Sequence, residues 1–165
     1  MSVAHNGVPT KEELQKVTPP QEILTQKAVV MVECFQHIPC DPCASGCPSG
    51  AILPFADIND LPKVDYHKCT GCGLCIASCP GLAIFVLDLN YSPREALIKL
   101  PYEMLPLPEQ GQTVCGLDRE GRQVAKVKVF KVQKTKNKTS IVSIIVPKAL
   151  ALVIRNIKVE VKQNG

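Results

Sequence analysis

Eight of the nine cysteines in this 165-residue chain fall in two tight groups. The second group reads Cys69-Thr-Gly-Cys72-Gly-Leu-Cys75-Ile-Ala-Ser-Cys79-Pro80, the C-x2-C-x2-C-x3-C-P run that ligates cubane iron–sulfur clusters. Three thiolates two residues apart must wrap three corners of one small cube, which demands a tight loop whose backbone amides can point at sulfide. Gly71 and Gly73 permit that turn and a close approach of backbone to cluster. A loop of this shape cannot easily bring a fourth cysteine to the same cube. With Pro80 turning the chain away, Cys79 is left to serve a second cluster. Zinc is the alternative, but four-cysteine zinc sites use paired C-x2-4-C knuckles instead of three closely spaced cysteines followed by a fourth and proline.

The first group, Cys34-Phe-Gln-His-Ile-Pro-Cys40-Asp-Pro-Cys43-Ala-Ser-Gly-Cys47-Pro48, is a variation on the second. A shift of 32 residues superposes Cys40, Cys43 and Cys47-Pro48 on Cys72, Cys75 and Cys79-Pro80, Ala51-Ile52 on Ala83-Ile84, and Val32-Glu33 on Val64-Asp65. Such agreement argues for two copies of one supersecondary unit. Two copies suit a pseudo-twofold domain in which each half is strand, cysteine loop, short helix and strand. The shift sets His37, not a cysteine, opposite Cys69, because five residues separate Cys34 from Cys40. Either the longer loop lets Cys34 reach the first corner, or His37 occupies it and Cys34 is a spare thiol; thiolate suits cubane iron better than imidazole, which favours Cys34. Pro39 and Pro42 lack amide hydrogens that could donate toward sulfur, so unequal cluster potentials are expected.

On these motifs the chain resembles, over about residues 27 to 89, the bacterial two-cluster ferredoxins and the ferredoxin-like subunits of larger redox enzymes. The resemblance implies an α+β fold with two 4Fe-4S clusters in crossed ligation. Cys69, Cys72, Cys75 and Cys47 would hold one, and Cys34, Cys40, Cys43 and Cys79 the other, with Gly71, Gly73, Pro48 and Pro80 shaping the loops around them. It further implies a larger redox partner, a flavoprotein dehydrogenase subunit, in a hetero-oligomer.

The surrounding elements divide the chain into four parts. Residues 1–26 read as an arm with two capping-box starts, Thr10-Lys-Glu-Glu13 and Thr18-Pro-Pro-Gln21. Residues 27–89 form the cluster domain, and residues 90–108, with four prolines, read as a connector. Residues 109–165 carry the signals of a small β-rich docking module: strands at 113–117, 124–132, 140–146 and 157–161, turns at 118–121 and 134–138, and a short helix after Pro147. The alternation slips around Phe130, where a bulge is expected. Cys115, alone in its run, reads as a small buried apolar residue.

Composition and charge narrow the function. Apolar residues make up 45% of the chain but aromatics only 4%, so something other than aromatic packing is expected to hold part of it. No apolar run approaches the roughly 20 residues of a bilayer crossing. The N-terminus lacks the basic start and apolar run of a secretory signal, so a cytoplasmic location is expected. Residues 1–93 hold five basic and nine acidic side chains, and residues 94–165 hold fourteen and six, so the net +4 hides an acidic half and a basic half. The lysines between Lys126 and Lys138 lack the interleaved aromatics of a nucleic-acid surface, apart from Phe130, and read as a solvated face, with docking to an acidic partner second. No nucleophile and base constellation or phosphate-cradling loop is evident. The sequence therefore points to electron transfer, as a small subunit of a flavin-dependent oxidoreductase. The alternatives are a free ferredoxin with an added docking or regulatory domain, or a protein in which the metal is only a staple.

Overall fold

A computed structural model describes residues 2–161. Its centre is an antiparallel sheet of seven strands: β1 (Val29–Val32), β2 (Ile84–Asp88), β3 (Glu95–Tyr102), β4 (Thr113–Leu117), β5 (Gln123–Gln133), β6 (Ser140–Pro147) and β7 (Asn156–Lys158). They lie in the order β1-β2-β3-β6-β5-β4-β7. The residues that pack this sheet are β-branched and aliphatic, the types that fit a pleated, half-buried surface. One cross-strand row, Val29, Leu87, Ile98, Ile144 and Val129, spans five strands with no member more than 1% exposed. The row on the opposite face, Val30, Val86, Lys99, Ser143 and Lys131, begins apolar beside the cysteine loops and ends in lysines.

The segment 90–108 is not a bare connector. It contains β3, which pairs with β2 on one side and along its whole length with β6 on the other, and so joins the two halves of the sheet. Its proline content hid a period-2 pattern, Ala96, Ile98 and Leu100, all fully buried. The one proline inside the strand, Pro101, lies beyond Lys99, where pairing with β2 ends, consistent with the demand that a strand proline avoid a ladder position needing its missing amide.

The N-terminal segment departs from the simple arm in two ways. Helix α1 (Val3–Asn6) leads to α2 (Lys11–Val17), which starts with the expected reciprocal cap: Thr10 Oγ1 accepts from the Glu13 amide at 3.2 Å and Glu13 Oε2 accepts from the Thr10 amide at 2.8 Å. Thr18 forms no such box. Its hydroxyl instead donates back to Leu14 O at 2.7 Å and closes α2, leaving Pro20 at the N-cap of α3 (Gln21–Leu24). Ile23 and Leu24 of α3 are 4% and 2% exposed and belong to the core, so the end of the segment is packed in, not trailing.

In the C-terminal strands, β4 spans residues 113–117 as expected, and the β5 to β6 register shifts between Val129 and Lys131, at the anticipated bulge. The helix after Pro147 is a single 3-10 turn, Lys148–Leu150. Among the described residues no helix is long and apolar enough to cross a membrane.

Between β1 and β2 lie some fifty residues with little regular structure: α4 (Pro42–Ser45), the 3-10 turn Leu74–Ser78, and one bridge between Ile52 and Val64. The 32-residue shift reappears here in hydrogen bonds. The Glu33 amide donates to Ala83 O at 2.7 Å, and the Asp65 amide to Ala51 O at 2.7 Å. Val32 pairs with Ile84 as Val64 pairs with Ile52. Each half thus lends its first strand to the other half's last.

Candidate iron–sulfur site

The loop after Cys69 is shaped by backbone conformation before any side chain acts. Gly71 and Gly73 sit at φ 69° and 83°, in the left-handed region, which costs a residue with a Cβ strain that glycine avoids. Gly71 also passes so close to the start of β1 that a Cβ there would lie 2.6 Å from Ala28 Cβ and 2.8 Å from Ala28 O. Replacing Gly71 by alanine is therefore expected to lower stability by on the order of 1–3 kcal/mol, from strain and steric displacement together. Thermal unfolding of the cluster-loaded protein measures this, and a variant that melts with the wild type would contradict it.

One amide of this loop and one of β1 reach the first thiol, while the loop's carbonyls are taken by lysines. The Val30 and Gly71 amides each donate to Cys69 Sγ at 3.4 Å. Two ammonium groups take the carbonyls: Lys27 Nζ donates to Cys69 O at 2.7 Å and His67 O at 3.0 Å, and Lys99 Nζ to Gly71 O at 3.0 Å and Cys72 O at 3.2 Å. Neither lysine stands out in the sequence. Lys99 comes from β3, inside the expected connector, and Lys27 stands at the very start of the cluster domain.

The eight grouped cysteines gather in two places. Cys47, Cys69, Cys72 and Cys75 line one small cavity, floored by Val30, Ile52 and Val86 and edged by Pro48 and Gly73. Cys34, Cys40 and Cys79 line a larger groove together with Pro80, and Cys43 is close enough to feel the charge of all three. Each place draws three thiols from one motif and one from the other. The turns after Cys47-Pro48 and Cys79-Pro80 are alike: the Ala51 amide donates to Cys47 Sγ at 3.3 Å and the Ala83 amide to Cys79 Sγ at 3.4 Å.

Burial, followed by the neighbouring Cys47, Cys72 and Cys69, pushes the Cys75 thiol up to about 12. Burial with Cys79, Cys34 and Cys40 nearby pushes Cys43 up to about 11. Cys47 goes the other way: burial opposes its thiolate, but the Ile52 amide, the Ser49 hydroxyl and the Ala51 amide outweigh burial and lower its pKa. A metal entering these sites must displace protons, and the bond to thiolate compensates what burial costs. Among the described residues no three His, Cys, Asp or Glu side chains converge on one point as a single ion requires. Cubane ligands do not need to, since each thiolate binds a different iron at a different corner.

His37 takes no part in the groove. Its ring is exposed, with Nδ1 3.1 Å from Asn59 O. Cys115 is 1% exposed and far in sequence from the other thiols; its Sγ meets Glu160 Oε1 at 3.3 Å and Lys126 Nζ at 3.4 Å. Packing between the two loops uses a residue that no sequence signal marks. Gly46, at the end of α4, abuts Ser78, and a Cβ there would lie 2.7 Å from Ser78 Cβ.

Comparison with known proteins agrees with this chemistry. Residues 62–85, which contain the Cys69 loop, match the family described as a 4Fe-4S binding domain. The chain carries a ferredoxin-type 4Fe-4S domain. It is similar to the thiosulfate reductase electron transfer subunit of Salmonella typhi, at 44% identity over 57 residues, which is 34% of this chain and 28% of that protein. It is also similar to a subunit of an ion-translocating oxidoreductase complex of Methanosarcina acetivorans, at 45% over 58 residues, or 35% and 20% of the two chains. A third relative is a ferredoxin-type protein of Haemophilus influenzae, at 33% over 70 residues, or 40% of each chain. The matches thus cover between a fifth and two fifths of these relatives' own length. No solved structure matches.

Proposed function

We propose that this protein is a two-cluster electron-transfer subunit of a larger oxidoreductase, with a pseudo-twofold cluster domain in crossed ligation. The observation that carries this is the sorting of eight thiols into two sites, each with three from one motif and one from the other. A 4Fe-4S cluster supplies a reversible one-electron couple whose potential, within the span of about −700 to +450 mV seen for iron–sulfur clusters, is set by its surroundings. The chain's own groups do the rest. Buried thiolates hold the irons, amides of Val30, Gly71, Ala51 and Ala83 donate to sulfur and favour added negative charge, and the apolar floor of Val30, Ile52 and Val86 limits water. Cys34, placed in the groove with Cys40 and Cys79, is the fourth ligand of the first motif's site, and His37 is left to the surface.

The sheet beyond β2, with its exposed lysines, is the part suited to grip a partner. That the relatives named above include electron transfer and oxidoreductase-complex subunits supports a complex. A flavoprotein is the partner we favour, because a flavin converts two-electron chemistry into the single-electron steps that clusters accept. A reducing, cytoplasmic compartment fits a protein whose cysteines must stay thiols.

Anaerobic purification with iron and sulfide counts, then EPR during reductive titration, tests the reading. About eight iron and eight acid-labile sulfide per chain are expected for two cubanes. Zinc without sulfide would overturn the redox assignment. Co-purification from the native source with a flavin-containing chain is expected; an isolated monomer that reduces several acceptors would mark a free ferredoxin instead.

A further inference from the structure

The two halves of the 32-residue repeat part company after Glu33 and Asp65. Glu33 and Asp65 make equivalent backbone bonds, yet from Asp65 the chain runs on through Tyr66, His67 and Lys68 before Cys69, whereas the residue after Glu33 is already Cys34. The Asp65 carboxylate stays near the surface, accepting from the His67 amide at 3.1 Å and lying 3.8 Å from Lys68 Nζ. The Glu33 carboxylate is turned inward, its side chain 8% exposed, and accepts from Arg119 Nε at 2.9 Å, Arg119 Nη2 at 2.7 Å and Arg155 Nε at 2.6 Å.

Both arginines are themselves fixed. Arg155 is buried, donates through Nη1 to Ala151 O and Ile154 O and through Nη2 to Met31 Sδ at 3.5 Å, and lies 5.1 Å over the Phe85 ring. Arg119, in the turn between β4 and β5, uses its remaining Nη1 on Leu152 O at 2.8 Å. A buried pair stripped of one member is costly, because the remaining charge is left uncompensated. The groove that holds Cys34, Cys40 and Cys79 is lined by Glu33, Arg119 and Arg155 as well. The triad therefore borders the one corner where the first motif departs from the spacing of the second.

We propose that Glu33, Arg119 and Arg155 form a positioning device, supplied by the C-terminal strands, that sets Cys34 as a ligand of the first motif's cluster and, with one net positive charge, favours that cluster's reduced state. The inference rests on the two-cluster reading above. It makes the strands beyond β3 part of the cluster site, and not only a grip for a partner.

The test compares the full chain with Glu33→Gln and Arg119→Met after anaerobic cluster loading. The wild type is expected to hold about eight iron, as two cubanes require. In Glu33→Gln the signal of the Cys34 side should fall or convert to a three-iron form while the Cys69-loop signal persists. Equal loss of both signals would assign the triad to general stability and overturn the inference. Arg119→Met keeps the Glu33 and Arg155 pair but removes the surplus charge, and serves as the deciding variant if Glu33→Gln does not fold. Its Cys34-side cluster should show a lower reduced-to-oxidised ratio at fixed potential, on the order of tenfold for loss of one nearby unit charge at an effective dielectric of about 20, with the other cluster unmoved. Unchanged behaviour of both clusters in Arg119→Met would also overturn it. A wild-type chain with only about four iron would overturn the two-cluster reading itself, an outcome separate from any effect of the variants.

Discussion

Cys79→Ala is expected to abolish the cluster of the first motif, although Cys79 belongs to the second, and Cys47→Ala is expected to do the reverse. Each substitution should leave about four iron per chain of the eight that two cubanes carry. The surviving species is identified by comparison within a set. Cys79→Ala should reproduce the EPR signal and midpoint of Cys40→Ala, and Cys47→Ala those of Cys72→Ala. The reason lies in the paths of the two loops. Cys79 and Cys47 each follow a short turn, the 3-10 turn ending at Ser78 and α4 ending at Ser45, which carries the chain from its own cysteine loop to the neighbouring one. Each then receives an amide from the residue four positions on, Ala83 or Ala51, which starts the strand pairing with the opposite half. If Cys79→Ala instead behaves like Cys72→Ala, ligation is not crossed and the proposed ligand sets are wrong.

Removing the clusters should unfold one part of the molecule and spare another. Between residues 33 and 83 the longest described helices are the four residues of α4 and the five of the 3-10 turn at Leu74, and the only strand pairing within the segment is the single bridge from Ile52 to Val64. Helical pieces this short do not persist without tertiary support. Under the proposed ligation the eight cysteines bound to metal would be that support, since metal binding in small sites of this kind is itself folding free energy. By contrast β3 and β6 pair over eight positions, Glu95 with Pro147 through Tyr102 with Ser140, around fully buried Ile98, Leu100, Val142 and Ile144. After treatment with oxidant and chelator, amide exchange at Asp65, Gly71 and Ala83 should quicken by at least on the order of a hundredfold, while amides in the β3 to β6 pairing keep most of their protection. Uniform retention across both regions would show that the loops fold without metal. Uniform loss would show that the sheet depends on the clusters too.

Much of the site is legible in the sequence, because its information is local. Cysteine spacing, loop glycines and the 32-residue repeat are all read within a dozen residues or by one shift, and the structure sets cysteines of both motifs along each of two cavities. Strands β4 and β5 and the bulge at Phe130 are legible for the same reason, since alternation and its failure are short-range signals. What escapes is non-local. Glu33 meets Arg119 across 86 residues and Arg155 across 122, and nothing near any of the three announces the pairing. Lys99 is hidden because the proline content of its segment masks the burial pattern of Ala96, Ile98 and Leu100. Thr18 misleads by composition: the same hydroxyl that can open a helix closes the preceding one.

The contact between Gly46 and Ser78 bears on the symmetry of the cluster domain. The two are equivalent under the 32-residue shift, and in the pseudo-twofold arrangement proposed above they would face each other near the axis that relates the halves. A point on such an axis has room for one side chain, not for a matched pair. Glycine in both copies would be accommodated, whereas serine in both would set two Cβ atoms within 2.7 Å of each other. A half-unit bearing serine could therefore not assemble with an identical copy of itself in this geometry. Fusing two copies into one chain lifts that restriction, because it allows the halves to differ at the place where they touch.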